Sequence, residues 1–460
     1  MNATRRELLK IGVLAGAAST LGGCGFLSAK VAQKERGSAQ PLPQEIPPEE
    51  DRMLNRLGFG PNSADLASYR QLGSTAFIDQ QLKGDQPEDA ALTLQLARLD
   101  VLQLEPSDLW DLPFERVLFQ LQQAAILQAA YGRNQLRERM VDFWSNHFNI
   151  YGRKGNTGYA KGVEESQIIR ANALGDFPTM LKAMAHSPAM LEYLDNQRNV
   201  RGVPNENYAR ELMELHTLGL HGGYTQKDVQ EVARCFTGWT IETRFLRPKG
   251  HFRFDPDLHD YGPKTVLGHE IAAGGGEQDA MLVLDILSSH PSTARFISTK
   301  LCSYFMGEPD PDLADKMFVD YLSSSGDIKA ILRPLLVSGE LQTDKPILKR
   351  PFDFMVSALR YTNADTDGGK AIQDHLDKMG EPLYQWPMPD GYPTKASSWT
   401  SSLLPRWNFA AALSEGKVGG TSIPDKAQGP RTKSFSAVSA PLEDKNLLAV
   451  QLASPEFQWR

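Results

Sequence analysis

The stretch RERMVDFWSNHFNIY, residues 137–151, indicates the fold class of this chain. Its large apolar residues Met140, Phe143, Trp144 and Phe148 stand at i, i+3, i+4 and i+8, the spacing that places side chains on one face of an α-helix. The same periodicity dominates the chain from about residue 51 onward. The sequence therefore predicts a mainly α, multi-helix globular body.

Further helices are predicted from the same periodicity and from their end signals. The glycines at 219, 222 and 223 stop one helix, and Thr225 with Asp228 forms a capping-box pattern that starts the next. The predicted spans are 114–130, 175–185, 205–218, 225–236, 278–289, 293–305, 311–323, 328–338 and 351–364. The region around 251–270 breaks the pattern and predicts a small β-hairpin or loop insert.

The amino terminus has the form of an export signal. The pair Arg5 and Arg6 precedes an apolar stretch, Ile11 to Gly23, that is far shorter than the roughly 18 residues needed to span a bilayer. It ends in Leu21-Gly22-Gly23-Cys24, the pattern at which lipoprotein signals are cleaved and the cysteine is lipidated. The sequence predicts a twin-arginine signal over 1–23 with a lipid on Cys24; the alternative is an ordinary signal with an incidental cysteine.

The division of the mature chain follows from composition. Residues 24–50 are polar and proline-containing, which predicts a flexible tether, and residues 51–460 are expected to form one large helical domain. Gly25 stands where an aspartate would favour retention at the inner membrane. We therefore expect a periplasm-facing lipoprotein, in the outer membrane rather than the inner one if the host has both.

The charge balance limits the classes of partner. The formal net charge is −7, and removing the signal, which carries +2, leaves −9. Nucleic-acid binding needs clustered lysine and arginine, so an acidic protein of this kind argues against nucleic acid as a partner. Besides Cys24, only Cys235 and Cys302 are present, which excludes a disulfide-rich scaffold, and two buried free thiols are expected.

The strongest chemical signal lies on the helix predicted over 205–218. On a helical wheel, Asn207, Glu211 and Glu214 share one stripe, with Arg210 at its outer edge. Two carboxylates on one face can share a metal, or one can hold a substrate proton while the other orients it. The other interpretation is a solvated helix edge on which Arg210 screens both glutamates.

Two further features supply candidate metal ligands. His147 lies inside the apolar stripe of its helix, where it is either a hydrogen-bonded core residue or a ligand. His259, Asp260 and Lys264 lie in the non-helical insert, where they are either ligands and anion contacts or part of a solvated turn.

These candidates combine into one predicted site that binds a divalent metal. The predicted metal ligands are His147, Asn207, His259 and Asp260. The predicted catalytic residues are Glu211, Glu214, Arg210 and Lys264.

The segment YQWPMPDGYP, residues 384–393, is rich in aromatic residues and proline, and Trp399 follows it. Trp386, Tyr392 and Trp399 could form a stacking wall for a sugar or aromatic ligand. Covering the core with an extended segment is the alternative use of such residues.

Several of these stretches resemble a bacterial family, domain of unknown function 1800. The matching motifs are FWSNHF (143–148), ALGDF (173–177), AMLEYLDN (189–196), PNENYARELMELHTLG (204–219), YTQKDVQEVARCFTGWT (224–240), RFDPDLHDYGPKTVLG (253–268) and GEPLYQWPMPDGY (380–392). The resemblance implies an exported bacterial protein, often with a twin-arginine signal, whose gene stands beside that of a second exported family. It therefore implies a partner, but it assigns no catalytic residue.

Three functions are compatible with the sequence. The first is an envelope enzyme, a metal-dependent hydrolase, since folding before export lets a protein acquire its metal in the cytoplasm. The second is a non-catalytic lipoprotein that scaffolds or matures another exported protein. The third is a carbohydrate-binding lipoprotein.

Overall fold

The computed structural model describes residues 42–43, 45–244, 247–339, 341, 346–424 and 444–460. Within this part of the chain the fold is mainly α, as the periodicity predicts. The first half contains helices α1 Pro48–Leu57, α2 Ser63–Leu72, α3 Ser74–Lys83, α4 Ala90–Ala97, α5 Pro106–Leu109, α6 Phe114–Tyr131, α7 Gln135–His147, α8 Thr157–Val163, α9 Arg170–Asn172, α10 Phe177–Ala185, α11 Pro188–Tyr193, α12 Glu206–Glu211 and α13 Gln226–Cys235.

The second half continues the helical body. It contains α14 Gln278–Ser289, α15 Pro291–Met306, α16 Pro311–Ser324, α17 Ile328–Val337, α18 Pro351–Tyr361, α19 Lys370–Lys378, α20 Leu403–Ser414, α21 Asp444–Ala453 and α22 Pro455–Gln458. Short 3₁₀ helices cover Asp100–Gln103, Asn196–Arg198, Pro256–Leu258 and Ala396–Ser402. Two π-helices, Glu164–Ile169 and Leu212–Thr217, continue α8 and α12 respectively.

The strands form small antiparallel pairs, and two of these pairs confirm the predicted insert. Strand β1, Trp239–Ile241, pairs with β2, Phe252–Phe254, and β3, Lys264–Val266, pairs with β4, His269–Ile271. The insert therefore begins earlier than predicted, because its first strand follows directly after α13. A third pair joins β5, Asp365–Thr366, to β6, Thr421–Ser422.

Helix α7 lies at the centre of the body. It packs against α1, α3, α6, α9 and the first π-helix, and Leu136, Met140 and Trp144 on it are fully buried. The helix ends at His147, four residues earlier than predicted, because the backbone of Phe148 (φ −100°, ψ 45°) leaves the α-region. Asn149 therefore lies beyond the end of the helix, where its side chain can bind another part of the chain.

One predicted helix changes type along its length. The span 205–218 is α-helical only as far as Glu211, and in the following π-helix the Leu218 amide donates 2.8 Å to the carbonyl of Met213, five residues earlier. A wheel of 3.6 residues per turn therefore misplaces the residues after Leu212. Met213 and His216 are buried, whereas Leu215 is only half-buried.

The sequence signals for helix ends agree with the structure better than the predicted helix spans do. Thr225 and Asp228 form the predicted capping box, with the Thr225 amide donating 2.9 Å to the Asp228 carboxylate. Cys235 and Cys302 are both buried thiols. In the described residues, no helix has the length and apolar character to cross a bilayer.

A buried ion pair joins distant parts of the chain to α7. The Arg139 guanidinium donates to the Asp353 carboxylate of α18 and, over 3.1 Å, to the carbonyl of Asn55 in α1. Its carbon lies 4.1 Å from the centre of the Phe59 ring, and Arg460 at the carboxyl terminus comes within 3.6 Å of the same carboxylate. Burial alone would raise the pKa of Asp353, but the three neighbouring arginines, Arg139, Arg460 and Arg350, hold it below its usual range.

We predict that Asp353→Asn lowers the free energy of unfolding by about 3–5 kcal/mol, because it leaves the Arg139 charge buried without its counterion. Urea titration followed by circular dichroism measures the loss. The control is Asp374→Asn in the exposed pair with Lys370, for which a loss below about 1 kcal/mol is expected. Equal effects of the two substitutions would contradict a structural role for the buried pair.

Candidate functional site

His147 occupies the last position of α7 and is buried among aromatic rings. The ring of Phe148 lies 4.5 Å from its own, and that of Trp144 lies 5.4 Å away, measured between centroids. Its Nε2 is 3.1 Å from the carbonyl oxygen of His216, and its Nδ1 is 3.0 Å from Nζ of Lys300. A carbonyl can only accept, so Nε2 carries the proton and Nδ1 accepts from Lys300.

The environment keeps this imidazole neutral. Burial lowers the pKa of His147 well below its usual range, and the charges of Lys300 and His216 lower it further. Burial and the Lys300 charge likewise lower the pKa of His216 to about 3. A neutral His147 with an unprotonated Nδ1 is therefore a fixed acceptor for the Lys300 amine.

Lys300 comes from α15, where it interrupts an apolar face that includes Ile297, Leu301 and Tyr304. The residue is half-buried, and its Nζ lies 5.5 Å from the centre of the Phe296 ring. Burial lowers the pKa of the Lys300 amine to about 8. The negative charge of Asp390 acts in the opposite direction and raises this pKa, but its effect is smaller. The described residues give this amine a hydrogen bond to His147 rather than to a carboxylate.

The junction of α12 and the second π-helix supplies two carboxylates. Glu211 is half-buried, and its pKa is raised by burial and by the charges of Glu214 and Asp390. Glu214 accepts a hydrogen bond of 3.2 Å from the Tyr224 hydroxyl. The stripe that the helical wheel predicts thus holds one carboxyl, Glu211, whose pKa is raised above its ordinary value.

The segment 384–392 lies across the end of α7. The Asn149 side chain donates 3.0 Å to the carbonyl of Trp386 and 2.6 Å to that of Met388. Asn146 exchanges two hydrogen bonds with the backbone of Tyr392, of 3.1 and 2.7 Å. These contacts hold Asp390, which is exposed, close enough for its charge to act on both Lys300 and Glu211.

We call the group brought together by these elements the Lys300 site. Its members are His147, Glu211, Glu214, Lys300 and Asp390. Four separate parts of the chain contribute to it: α7, the α12–π-helix junction, α15 and the segment 384–392. Two of its members are a cation and a carboxyl whose pKa values are shifted toward neutral pH, a common property of catalytic sites.

Arg210 and Asn207 were predicted to belong to the same site, but their side chains bind other partners. The Arg210 guanidinium donates 3.0 Å to Glu206 and 3.0 Å to Gln226, on the outer edge of α12. The Asn207 amide donates 3.1 Å to the carbonyl of Leu194. Arg210 therefore belongs to a partly exposed salt bridge, and Asn207 holds its helix to the end of α11.

The insert residues form a second, separate network. Lys264 and His259 are fully buried and contact the same oxygen of Asp279, at 2.7 and 3.2 Å. The other ring nitrogen of His259 is 2.8 Å from the carbonyl of Thr237, and Asp260 is paired with Arg234 at 2.8 Å. Their polar atoms are thus engaged within the insert and its neighbours, α13 and α14.

The predicted metal set does not fit this arrangement. The ring nitrogens of His147 and those of His259 point to different partners in different networks. In the ranges that the structure describes, no three His, Cys, Asp or Glu side chains are placed to hold a metal ion. In the described residues the predicted ligands bind other partners and do not form a shared coordination sphere.

The aromatic segment mainly covers the hydrophobic core and exposes little aromatic surface on which a ligand could stack. Tyr392 and Trp399 are buried, with ring centres 6.1 Å apart, whereas Trp386 is half-buried beside Tyr392 at 5.0 Å. The Trp399 indole donates 2.9 Å to the carbonyl of Pro393. Only Trp386 of the three predicted stacking residues keeps a substantial exposed surface.

The sequence analysis did not indicate two members of the site, Lys300 and Asp390, or its neighbour His216. A lysine within the apolar face of α15 was a usable signal, because a buried lysine needs a partner. His216 was hidden by the π-helix, which changes the face on which it lies. Cys24, Arg5 and Arg6 lie outside the described residues, so lipidation and export stay predictions.

The comparisons with known proteins agree with the motifs. The model of the family described as protein of unknown function (DUF1800) matches residues 52–459. No curated protein and no solved structure matches the chain. Since the family model covers most of the chain, this protein belongs to the DUF1800 family.

Proposed function

We propose that this protein is an exported, lipid-anchored envelope hydrolase whose active centre is the Lys300 site. The observation that carries the proposal is the Lys300 amine, held 3.0 Å from a neutral His147, while Asp390 acts both on that amine and on Glu211, whose pKa is raised. A base and an acid placed in one site are the requirement for general acid–base hydrolysis.

The amine supplies the base. In its neutral form, Lys300 has one lone pair, and a lysine with a pKa of about 8 has far more of that form near neutral pH than an ordinary lysine. Because one N–H is directed at His147 Nδ1, the nitrogen is oriented by the protein. The lone pair takes a proton from water, and the water oxygen attacks the scissile bond of the substrate.

The carboxyl supplies the acid. Glu211 gives its proton to the leaving group as the scissile bond breaks, and the proton on Lys300 returns to Glu211 through solvent. Glu214 helps to raise the pKa of Glu211, because a like charge nearby disfavours ionisation. The Tyr224 hydroxyl fixes Glu214 in that position.

The proposed site differs from the predicted one in its basic residue. Arg210 and Lys264 were predicted as catalytic residues, but Lys264 is fully buried on Asp279 and Arg210 is paired with Glu206. In the proposed site Lys300 takes the place of these two residues. The resemblance to exported proteins supports the envelope as the place of action, with a second exported protein as the proposed partner.

We predict that Glu211→Gln and Lys300→Met lower hydrolysis at least about 100-fold, as expected when a general acid or base is removed. The purified mature chain is incubated with envelope polymer fractions, and released products are followed by mass spectrometry. Lys370→Met, at an exposed lysine, is the matched control and should keep full activity. Because an amine is costly to bury, Lys300→Met should also keep or gain thermal stability.

Two results would count against the proposal. Full activity of either variant would remove the assigned acid or base. A large loss of thermal stability in Lys300→Met would instead support the scaffold alternative, in which the His147–Lys300 pair only fixes helix packing.

We predict that Cys24→Ser moves the protein from the membrane fraction to the soluble fraction, because it removes the site of lipid attachment. Cell fractionation and immunoblotting measure the change. Replacing Arg5 and Arg6 by lysine should leave the precursor in the cytoplasm. Membrane association that survives Cys24→Ser would contradict the lipid anchor.

A further inference from the structure

Lysines elsewhere in the body show what is different about Lys300. Lys161 is buried against Glu164, and Lys264 is buried against Asp279, so each of them contacts a carboxyl group. Lys349 is buried with its Nζ 4.3 Å from the centre of the Phe457 ring. Lys300 differs from all three because it is half-buried and donates to a neutral imidazole.

The hydrogen bond to His147 has a consequence for the direction of the amine. The imidazole lies on the buried side of Lys300, since His147 is within the aromatic core. An amine nitrogen is tetrahedral, so an N–H directed inward leaves the lone pair and the second N–H directed away from the core. A neutral Lys300 therefore presents a lone pair on its exposed side.

We propose that Lys300 is a nucleophilic amine that condenses with aldehydes and ketones, so that the Lys300 site takes a carbonyl compound. This inference rests on the proposed function, because the same lone pair serves as its base. Lysines whose charge is disfavoured by their surroundings are the ones that form Schiff bases. The lowered pKa of Lys300 agrees with the geometry.

The reaction balances without any other reagent. The Nζ lone pair forms a bond to the carbonyl carbon, and the electrons of the C=O double bond move to oxygen to give a carbinolamine. The oxygen then leaves as water with the two hydrogens of the amine. The product is an imine between Nζ and the former carbonyl carbon.

The charges around the amine select among carbonyl compounds. Glu214 and Asp390 place negative charge about the site, with Trp386 donating 3.3 Å to Asp390. An anionic ligand would be repelled by these carboxylates. The site is therefore expected to prefer neutral or cationic aldehydes and ketones.

The test uses pyridoxal as the neutral probe and pyridoxal phosphate as its anionic counterpart. The mature chain is incubated with each at about pH 7.5, the imine is reduced with borohydride, and the labelled lysines are located by peptide mass spectrometry. We expect pyridoxal to label Lys300 roughly ten-fold more than the exposed Lys370, because more of Lys300 is neutral. Pyridoxal phosphate should label Lys300 less than pyridoxal does.

Two variants make the result specific. Lys300→Arg keeps the positive charge but cannot form an imine, so it should lose this label, whereas Lys370→Arg should keep it. Equal labelling of Lys300 and Lys370, or none at Lys300 in the folded protein, would overturn the inference. Labelling does not require turnover, so a labelled Lys300 without hydrolysis would refute only the proposed function, and hydrolysis without labelling only the carbonyl assignment.

Discussion

The guanidinium of Arg139 and the carboxylate of Asp353 are buried together where α1, α7, α18 and the carboxyl terminus meet. A charge left alone there would cost several kcal/mol, so each of these segments can pack only in the arrangement that keeps the pair intact. The pair therefore fixes the position of α7 in the body. His147 lies two turns further along the same helix, and the placement of the candidate site depends on this anchor.

The site itself is built from features that favour function over stability. π-Helices are rare in proteins, and those that occur are frequently found at functional sites. Here the second π-helix carries Glu214 and His216. A lysine amine in half-buried surroundings and a glutamate near a second carboxylate are both costly to charge. By contrast, the Lys264–Asp279–His259 network is fully buried and internally paired, which is the pattern of a structural element.

The mainly α class, the insert and the capping box at Thr225 could be predicted because they depend on local spacing. The stripe containing Glu211 and Glu214 was also found in this way, and both residues belong to the site. His216 could not be placed, since the change to π-helix after Glu211 shifts the faces of later residues. Lys300 and Asp390 are 153 and 243 positions from His147 along the chain, and no local pattern indicates that they meet. The grouping of His147 with His259 stays a prediction, and in the structure the two rings have different hydrogen-bond partners.

The proposed site depends on a Lys300 amine that donates a hydrogen bond to a neutral His147. Nuclear magnetic resonance of protein labelled with ¹³C at the lysine ε-carbon measures its titration directly, with Lys300→Arg to assign the signal. We expect a pKa of about 8 for Lys300, because burial disfavours the ammonium ion more than Asp390 favours it. A Lys300 signal that titrates with the exposed lysines, at about 10.4, would contradict it.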